Sequence, residues 1–157
     1  MSQIAVFATV LALTSGTSVE ARTPAETVRK FISDVRSARN PDLASEYMAA
    51  EVRAHQLAAE GVTTIVRTPD NYAQHVRDFR RLFGDFRVQV EELISDGDKV
   101  FVRWRQEGCH CGSLAGETPT GKPLIEITSV VYRIEGSRIV EYWLQTDRKG
   151  LEVQLER

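Results

Sequence analysis

The chain changes character where the spacing of its apolar positions changes. Thr23-Pro24-Ala25-Glu26 reads as a helix start: Thr caps, Pro takes the first helical position, and Glu reaches back to the cap amide. Val28, Phe31, Ile32 and Val35 follow at helical spacing and make one face of that helix apolar. Asn40-Pro41-Asp42 breaks it and opens a second helix, whose Leu43, Tyr47 and Met48 lead into the stretch from Ala49 to Gln56. A third begins at Thr68-Pro69-Asp70, carries Tyr72, Val76, Phe79 and Phe83 on one face, and stops at Gly84.

Beyond Gly84 the period falls to two. Phe86, Val88 and Val90 alternate with Arg87, Gln89 and Glu91, and Asp96-Gly97-Asp98 makes a tight turn. Val100, Val102 and Trp104 then alternate with Phe101, Arg103 and Arg105. Gly108 to Lys122, with four glycines and a proline, reads as a long loop or an irregular strand edge. Leu124 to Ile134 forms a third strand, and Glu135-Gly136-Ser137 turns it into a fourth, Arg138 to Thr146. Helices first and antiparallel strands after predict an α+β domain, with three N-terminal helices packed on one face of the sheet. The fourth strand is apolar on both parities, with Ile139 and Trp143 on one side and Val140, Tyr142 and Leu144 on the other. Both faces then need cover: the helices supply one, and a homodimer through the outer sheet face supplies the other.

The 157 residues carry 20 Lys+Arg against 22 Asp+Glu, a formal net charge of −2. That balance argues against nucleic acid and membrane surfaces as partners and leaves a small uncharged or weakly polar ligand, which the aromatic residues Trp104, Tyr72 and Phe79 narrow to an apolar or polycyclic molecule. Ile4 to Leu13 is an apolar run too short to span a bilayer. With Val19-Glu20-Ala21 after it, the run fits a secretory signal cleaved after Ala21, although no Lys or Arg precedes it. Residues 1–22 are therefore set apart from a domain over residues 23–157, expected in the cytoplasm or, if the segment is cleaved, exported. The chain has no Gly-rich phosphate loop, Gly-x-Ser-x-Gly, His-Glu-x-x-His or Cys-x-x-Cys, which argues against nucleotide-dependent, serine-hydrolase and zinc-peptidase chemistry. In Cys109-His110-Cys111, extended backbone would send the two sulfurs to one face and the imidazole to the other. No metal site is expected there, and the cysteines read as a thiol pair at a pocket rim, because a disulfide across one residue is strained.

Three stretches, VEELISDGDKVFVRW (90–104), GCHCGSLAGETPTGKP (108–123) and YRIEGSRIVEYWLQTDRKGLEVQL (132–155), resemble the SnoaL-like polyketide cyclase, or ester cyclase, family of the nuclear transport factor 2-like cone fold. The resemblance implies a strongly curved, cone-like α+β barrel with the helices on its concave face. It also implies ring closure by intramolecular aldol condensation without metal or organic cofactor. An acidic residue near the end of the last strand then serves as general acid/base, helped by pocket histidines. The family's Trp-x-x-x-Asp pattern falls on Trp143 and Asp147, the histidine after its second helix on His55, and that of its Gly-Thr-His-x-Gly stretch on His110. This chain departs from the pattern at Cys109 and Cys111, in QLAAEGVTTIVR after His55, which lacks the family's Gly-Pro element, and in having no second histidine on the third strand.

Strand alternation sets Ile139, Glu141, Trp143, Gln145 and Asp147 on one side. If that side faces the cone, Trp143 removes water from Asp147, raises its pKa and makes it a base for a proton α to a carbonyl. The alternative is a solvated Asp147 paired with Arg148 and Lys149. His55 is read as a proton relay or as a helix-end residue, and His75 as a boundary residue without a role. Trp143, Trp104, Tyr72 and Phe79 are expected to line the pocket, with His110, Glu141 and Gln145 as polar contacts. The expected function is a cofactor-independent cyclase or isomerase of a carbonyl-rich small molecule. A non-catalytic binding domain, and an epoxide hydrolase or dehydratase using Glu141 and Gln145, are the alternatives.

Overall fold

A computed structural model describes residues 21–114 and 116–156; the apolar run Ile4–Leu13 lies outside them. Helix α1 (Pro24–Phe31) starts as its sequence predicts: Thr23 Oγ1 accepts from the Glu26 amide at 3.2 Å, and Glu26 Oε2 accepts from the Thr23 amide at 2.9 Å. It runs into a wider π-turn, Ile32–Arg36, in which Ser37 N donates to Ile32 O at 2.9 Å. That turn leaves Val35 and Arg36 both buried, so a guanidinium enters the interior beside an apolar residue. A 3₁₀ turn (Pro41–Leu43) and the single-turn α2 (Ala44–Tyr47) follow, and α3 (Pro69–Phe83) repeats the capping device with Thr68 and Asn71.

One sheet holds six strands: β1 (Met48–Ala58), β2 (Gly61–Arg67), β3 (Arg87–Asp96), β4 (Lys99–Cys109), β5 (Pro123–Glu135) and β6 (Arg138–Thr146), in the order β2-β1-β6-β5-β4-β3. The α+β architecture is the expected one, with corrections. The predicted second helix ends at Tyr47, and Met48–Ala58 is a strand. Its sequence is rich in helix formers, but Met48, Val52 and Ala54 are buried where β1 is clasped between β2 and β6, and that tertiary pairing overrides local preference. Gly61, at φ +139°, closes the β1–β2 hairpin, so QLAAEGVTTIVR after His55 forms the end of β1, a tight turn and β2. The sheet is not wholly antiparallel, because β1 runs parallel to β6. A fourth helix, α4 (Arg148–Leu155), ends the described chain. No helix among the described residues is long and apolar enough to cross a membrane.

One irregularity determines what faces the cone. Ile134 pairs with Ile139 but Arg133 pairs with Glu141, which leaves Val140 as an extra residue in β6. Such a bulge inverts the alternation beyond it. Ile139, Tyr142 and Leu144 therefore join the core, with Thr146 on the same parity, while Glu141, Trp143 and Gln145 point to the outer face. The expected single row from Ile139 to Asp147 does not exist.

The core lies between the helices and the concave face. Phe31, fully buried on α1, is its hub: its ring centroid lies 5.2 Å from that of Tyr72 on α3, 5.8 Å from Tyr132 on β5 and 6.3 Å from Tyr47 on α2. Phe31→Ala should lower unfolding free energy in urea by about 3–5 kcal/mol through lost burial and the cavity left behind. Val62→Ala, on the exposed edge strand β2, should change it by less than about 0.5 kcal/mol.

Candidate active site

The mouth of the cone is a cleft of about 380 Å³ between the β1–β2 hairpin, α3 and β6, lined in part by Gln56, Thr63 and Arg67. His75, Phe79, Tyr142, Leu144 and Thr146 line both this cleft and a deeper chamber of about 60 Å³, and so form the neck between them. Beyond the neck the chamber is walled by Arg36, Tyr72, Trp104, Glu126, Thr128 and Tyr132.

The chamber holds a charge pair. Arg36 Nη2 lies 3.6 Å from Glu126 Oε1, and both side chains are less than a tenth exposed. The guanidinium carbon sits 4.7 Å from the ring centre of Phe79, 5.4 Å from Trp104 and 5.6 Å from Phe86, in an aromatic cage that stabilises a cation removed from water. Burial raises the pKa of Glu126, against the pull of Arg36 and of Thr128, whose Oγ1 donates to Glu126 Oε1 at 3.4 Å. Thr128 Oγ1 in turn lies 3.0 Å from Thr146 Oγ1, so hydroxyls connect the buried carboxyl to the neck. Burial, with Arg67 and Arg36 close by, pushes the His75 pKa down to about 4, which makes this imidazole neutral at physiological pH.

Several interior polar atoms have no partner within the protein: Arg36 Nη1, Trp104 Nε1, and both Gln106 Nε2 and Oε1. Gln106 stands directly across from Glu126 in the β4–β5 ladder, and Trp104 across from Thr128. Buried polar groups are ordinarily satisfied, and a cluster of unsatisfied donors beside a carboxyl marks a place where a ligand oxygen would be held.

Of the residues singled out from sequence, Trp104, Tyr72 and Phe79 line the chamber as expected. His110 is buried at the far end of β4, its Nδ1 3.3 Å from Thr120 Oγ1, and lines neither the chamber nor the cleft. Glu141, Trp143 and Gln145 lie on the outer face. His55 is there too: it is a strand residue, stacked on Trp143 with ring centroids 5.3 Å apart. Glu141 is already engaged by three donors, His55 Nε2 at 2.9 Å, Arg133 Nε at 3.0 Å and Arg53 Nη2 at 2.9 Å. Because a carboxylate only accepts, Nε2 carries the proton; the hydrogen bonds from His55 and then Arg133 hold the Glu141 pKa low, as in a structural tie.

Asp147 does not occupy a dry interior. It is exposed, its Oδ1 accepts from the Gly150 amide at 2.8 Å to cap α4, and it borders an open outer cleft with Ile127 and Gln145. It is solvated, as in the alternative reading, but the neighbouring cations turn elsewhere: Arg148 binds Glu60 and Lys149 binds Glu152. Cys109 and Cys111 are joined as a disulfide rather than standing as free thiols. Among the described residues no cluster of three or more His, Cys, Asp and Glu could hold a metal ion.

Sequence reasoning passed over Arg36, Gln106 and Glu126 and set His75 aside. A signal was present for the first three. Gln106 continues the inward row Val100-Val102-Trp104, Glu126 interrupts Leu124-Thr128-Val130-Tyr132, and Arg36 stands eight residues beyond Val28 on the apolar helical face. A charged or amide group in register with a core row is a sign of buried polar chemistry.

A curved six-stranded sheet closed by helices over an interior chamber places the protein among the α+β cones. The chain belongs to the SnoaL-like polyketide cyclase family, whose pattern matches residues 26–155. It is similar to a protein of Acidithiobacillus ferrooxidans classed with the polyketide cyclases, at 25% identity and a TM-score of 0.74, covering 89% of this chain and 98% of that one. IdmH of Streptomyces antibioticus is 22% identical with a TM-score of 0.73, covering 87% of this chain and all of its own. A SnoaL-like polyketide cyclase of Agrobacterium tumefaciens is 16% identical with a TM-score of 0.68, covering 85% and 98%; these last two show the fold alone. No curated protein sequence matches the chain.

Because His75 has a folded pKa near 4 against 6.5 when unperturbed, the unfolded chain binds the extra proton between those values. Its contribution is present above pH 6.5 and lost as the pH falls toward 4, by about 3 kcal/mol. Urea titrations at pH 7 and pH 4 should show this loss reduced in His75→Gln relative to the parent. Asp147→Ala should cost about 1 kcal/mol, the value of a helix cap.

Proposed function

We propose that the protein is a cofactor-independent cyclase or isomerase of an apolar, carbonyl-bearing small molecule, working by acid/base catalysis in the cone with Glu126 as the proton-transfer group. The observation that carries the reading is the buried Glu126 carboxyl, raised in pKa, beside the unpartnered donors Arg36 Nη1 and Trp104 Nε1. The mouth cleft accommodates the body of the substrate, and the chamber is large enough for one carbonyl and its α-carbon.

In this reading Glu126 removes the α-proton, and Arg36 and Trp104 donate to the enolate oxygen as its charge develops. The enolate carbon bonds to a second carbonyl carbon folded into the neck, whose π pair moves to its oxygen. That oxygen is protonated from Glu126 through the Thr128 and Thr146 hydroxyls, which returns the carboxylate. Neutral His75, at the neck, is placed to hydrogen-bond this second oxygen. The roles expected of Asp147 and His55 thus pass to Glu126 and His75.

A δ-diketone whose attacked carbonyl bears a phenyl group serves as probe, with ring closure followed through the loss of the aryl-ketone absorbance. Glu126→Gln should lower turnover about 100-fold or more while keeping the fold and probe binding. Asp147→Asn should retain it, and the parent rate should fall toward acid as Glu126 is protonated. Loss of turnover in Asp147→Asn with an active Glu126→Gln would overturn the assignment. Probe binding that stabilises the fold with no turnover in the parent would favour the binding-domain alternative.

The outer face supports a homodimer. The ladder aligns Ile94, Phe101, Val131, Trp143, His55 and Thr64 in one row across all six strands, and Val62 and Val66 add exposed apolar surface at the β2 edge. Sedimentation at micromolar concentration should show a dimer that Trp143→Glu converts to monomer.

A further inference from the structure

The Cys109–Cys111 disulfide has no part in the cone chemistry, and its surroundings suit a different use. It encloses a loop of only three residues, so it removes little entropy from the unfolded chain and serves the fold weakly as a staple. Its place is nonetheless built. The sulfurs rest on Gly84, the residue that ends α3 at φ +65°; a Cβ there would meet Cys109 Sγ at 2.7 Å and Cys111 Sγ at 3.2 Å. Only glycine leaves the pair this space. The surrounding backbone is held independently of the bond. Cys111 and Gly112 amides both donate to Leu82 O at 3.0 Å, the His110 amide donates to Lys122 O at 2.8 Å, and Thr120 and Gly121 amides donate back to His110 O.

The two sulfurs differ in access. Cys111 is exposed, whereas Cys109 is half-buried with its Sγ 3.6 Å from Phe83 O, one of the last carbonyls of α3. A thiol released at Cys109 therefore has an acceptor already in place, and opening the bond leaves no buried donor unsatisfied.

We propose that Cys109 and Cys111 form a thiol–disulfide exchange site that reacts reversibly with small thiols of the glutathione type. An incoming thiolate attacks Cys111 Sγ and forms a mixed disulfide there. The Cys109–Cys111 bond breaks, and its electron pair leaves on Cys109 Sγ, which takes a proton. A second thiolate then attacks the small-molecule sulfur of the mixed disulfide, releasing the oxidised small disulfide and leaving Cys111 as a thiolate. Two small thiols are oxidised while the protein disulfide is reduced to two thiols, and the reverse sequence restores it.

The test incubates the native full chain with millimolar reduced and oxidised glutathione at varied ratios. Thiols are trapped with N-ethylmaleimide and located by mass spectrometry, while circular dichroism monitors the fold. Reversible conversion between disulfide and dithiol with an unchanged fold is expected. Cys109→Ser should collect glutathione on Cys111, and Cys111→Ser should react at Cys109 about tenfold more slowly or less. Labelling that occurs only after unfolding in urea would overturn the proposal. So would adducts formed at equal rates in the two variants, or a native dithiol that oxidised glutathione leaves unchanged.

Discussion

The buried pair of Arg36 and Glu126 is the constraint around which the interior is arranged. Two ionisable groups have been taken out of water at a separation of 3.6 Å, too long for a strong hydrogen bond, so their attraction offsets only part of the desolvation. The rest of the interior accommodates this. Three aromatic rings surround the guanidinium, Thr128 donates to the carboxyl, and the carboxyl's pKa moves toward its neutral form. Such an arrangement is poor for stability and suits proton transfer, because burial raises the carboxyl's affinity for a proton.

The sheet gives that pair its setting through a single extra residue. With Val140 bulged out of β6, the aromatic and polar groups of one strand are sorted onto two faces with different purposes. Tyr142, Leu144 and Thr146 finish the wall of the chamber and its neck. Glu141 and Trp143 instead join Arg53, His55 and Arg133 in a tight outer network in which three side chains hold the Glu141 carboxylate. A carboxylate already held by three donors is poorly suited to a proton-transfer role. One held mainly by a single cation at a distance, in a buried chamber, is better placed for it.

Helix α3 links three features of the molecule. Its cap and first turns place Tyr72 against Phe31, its middle carries His75 and Phe79 at the neck, and its last carbonyls meet the turn that bears the disulfide. The neck and the cysteine pair thus share one rigid element, although they lie at different ends of it.

Local chemistry makes much of the fold legible in the sequence. The capping box at Thr23, the helix start at Thr68, the apolar helical faces, the hairpin turns and the four later strands follow from residue type and period, which depend on neighbours in sequence. The stretches that resemble the SnoaL-like family pointed to the same cone. Three matters lay beyond reach for one physical reason: each depends on partners distant in the chain. Met48–Ala58 is a strand because β6 and β2 flank it, the face of every residue after Val140 depends on how β6 registers with β5, and Glu126 has chemical meaning only because Arg36, 90 positions earlier, comes to rest beside it. Sequence determined which segments could be helix or strand and that polar groups stood in core rows. Tertiary structure alone decided which carboxyl lost its water, since desolvation is a property of the space that surrounding elements enclose.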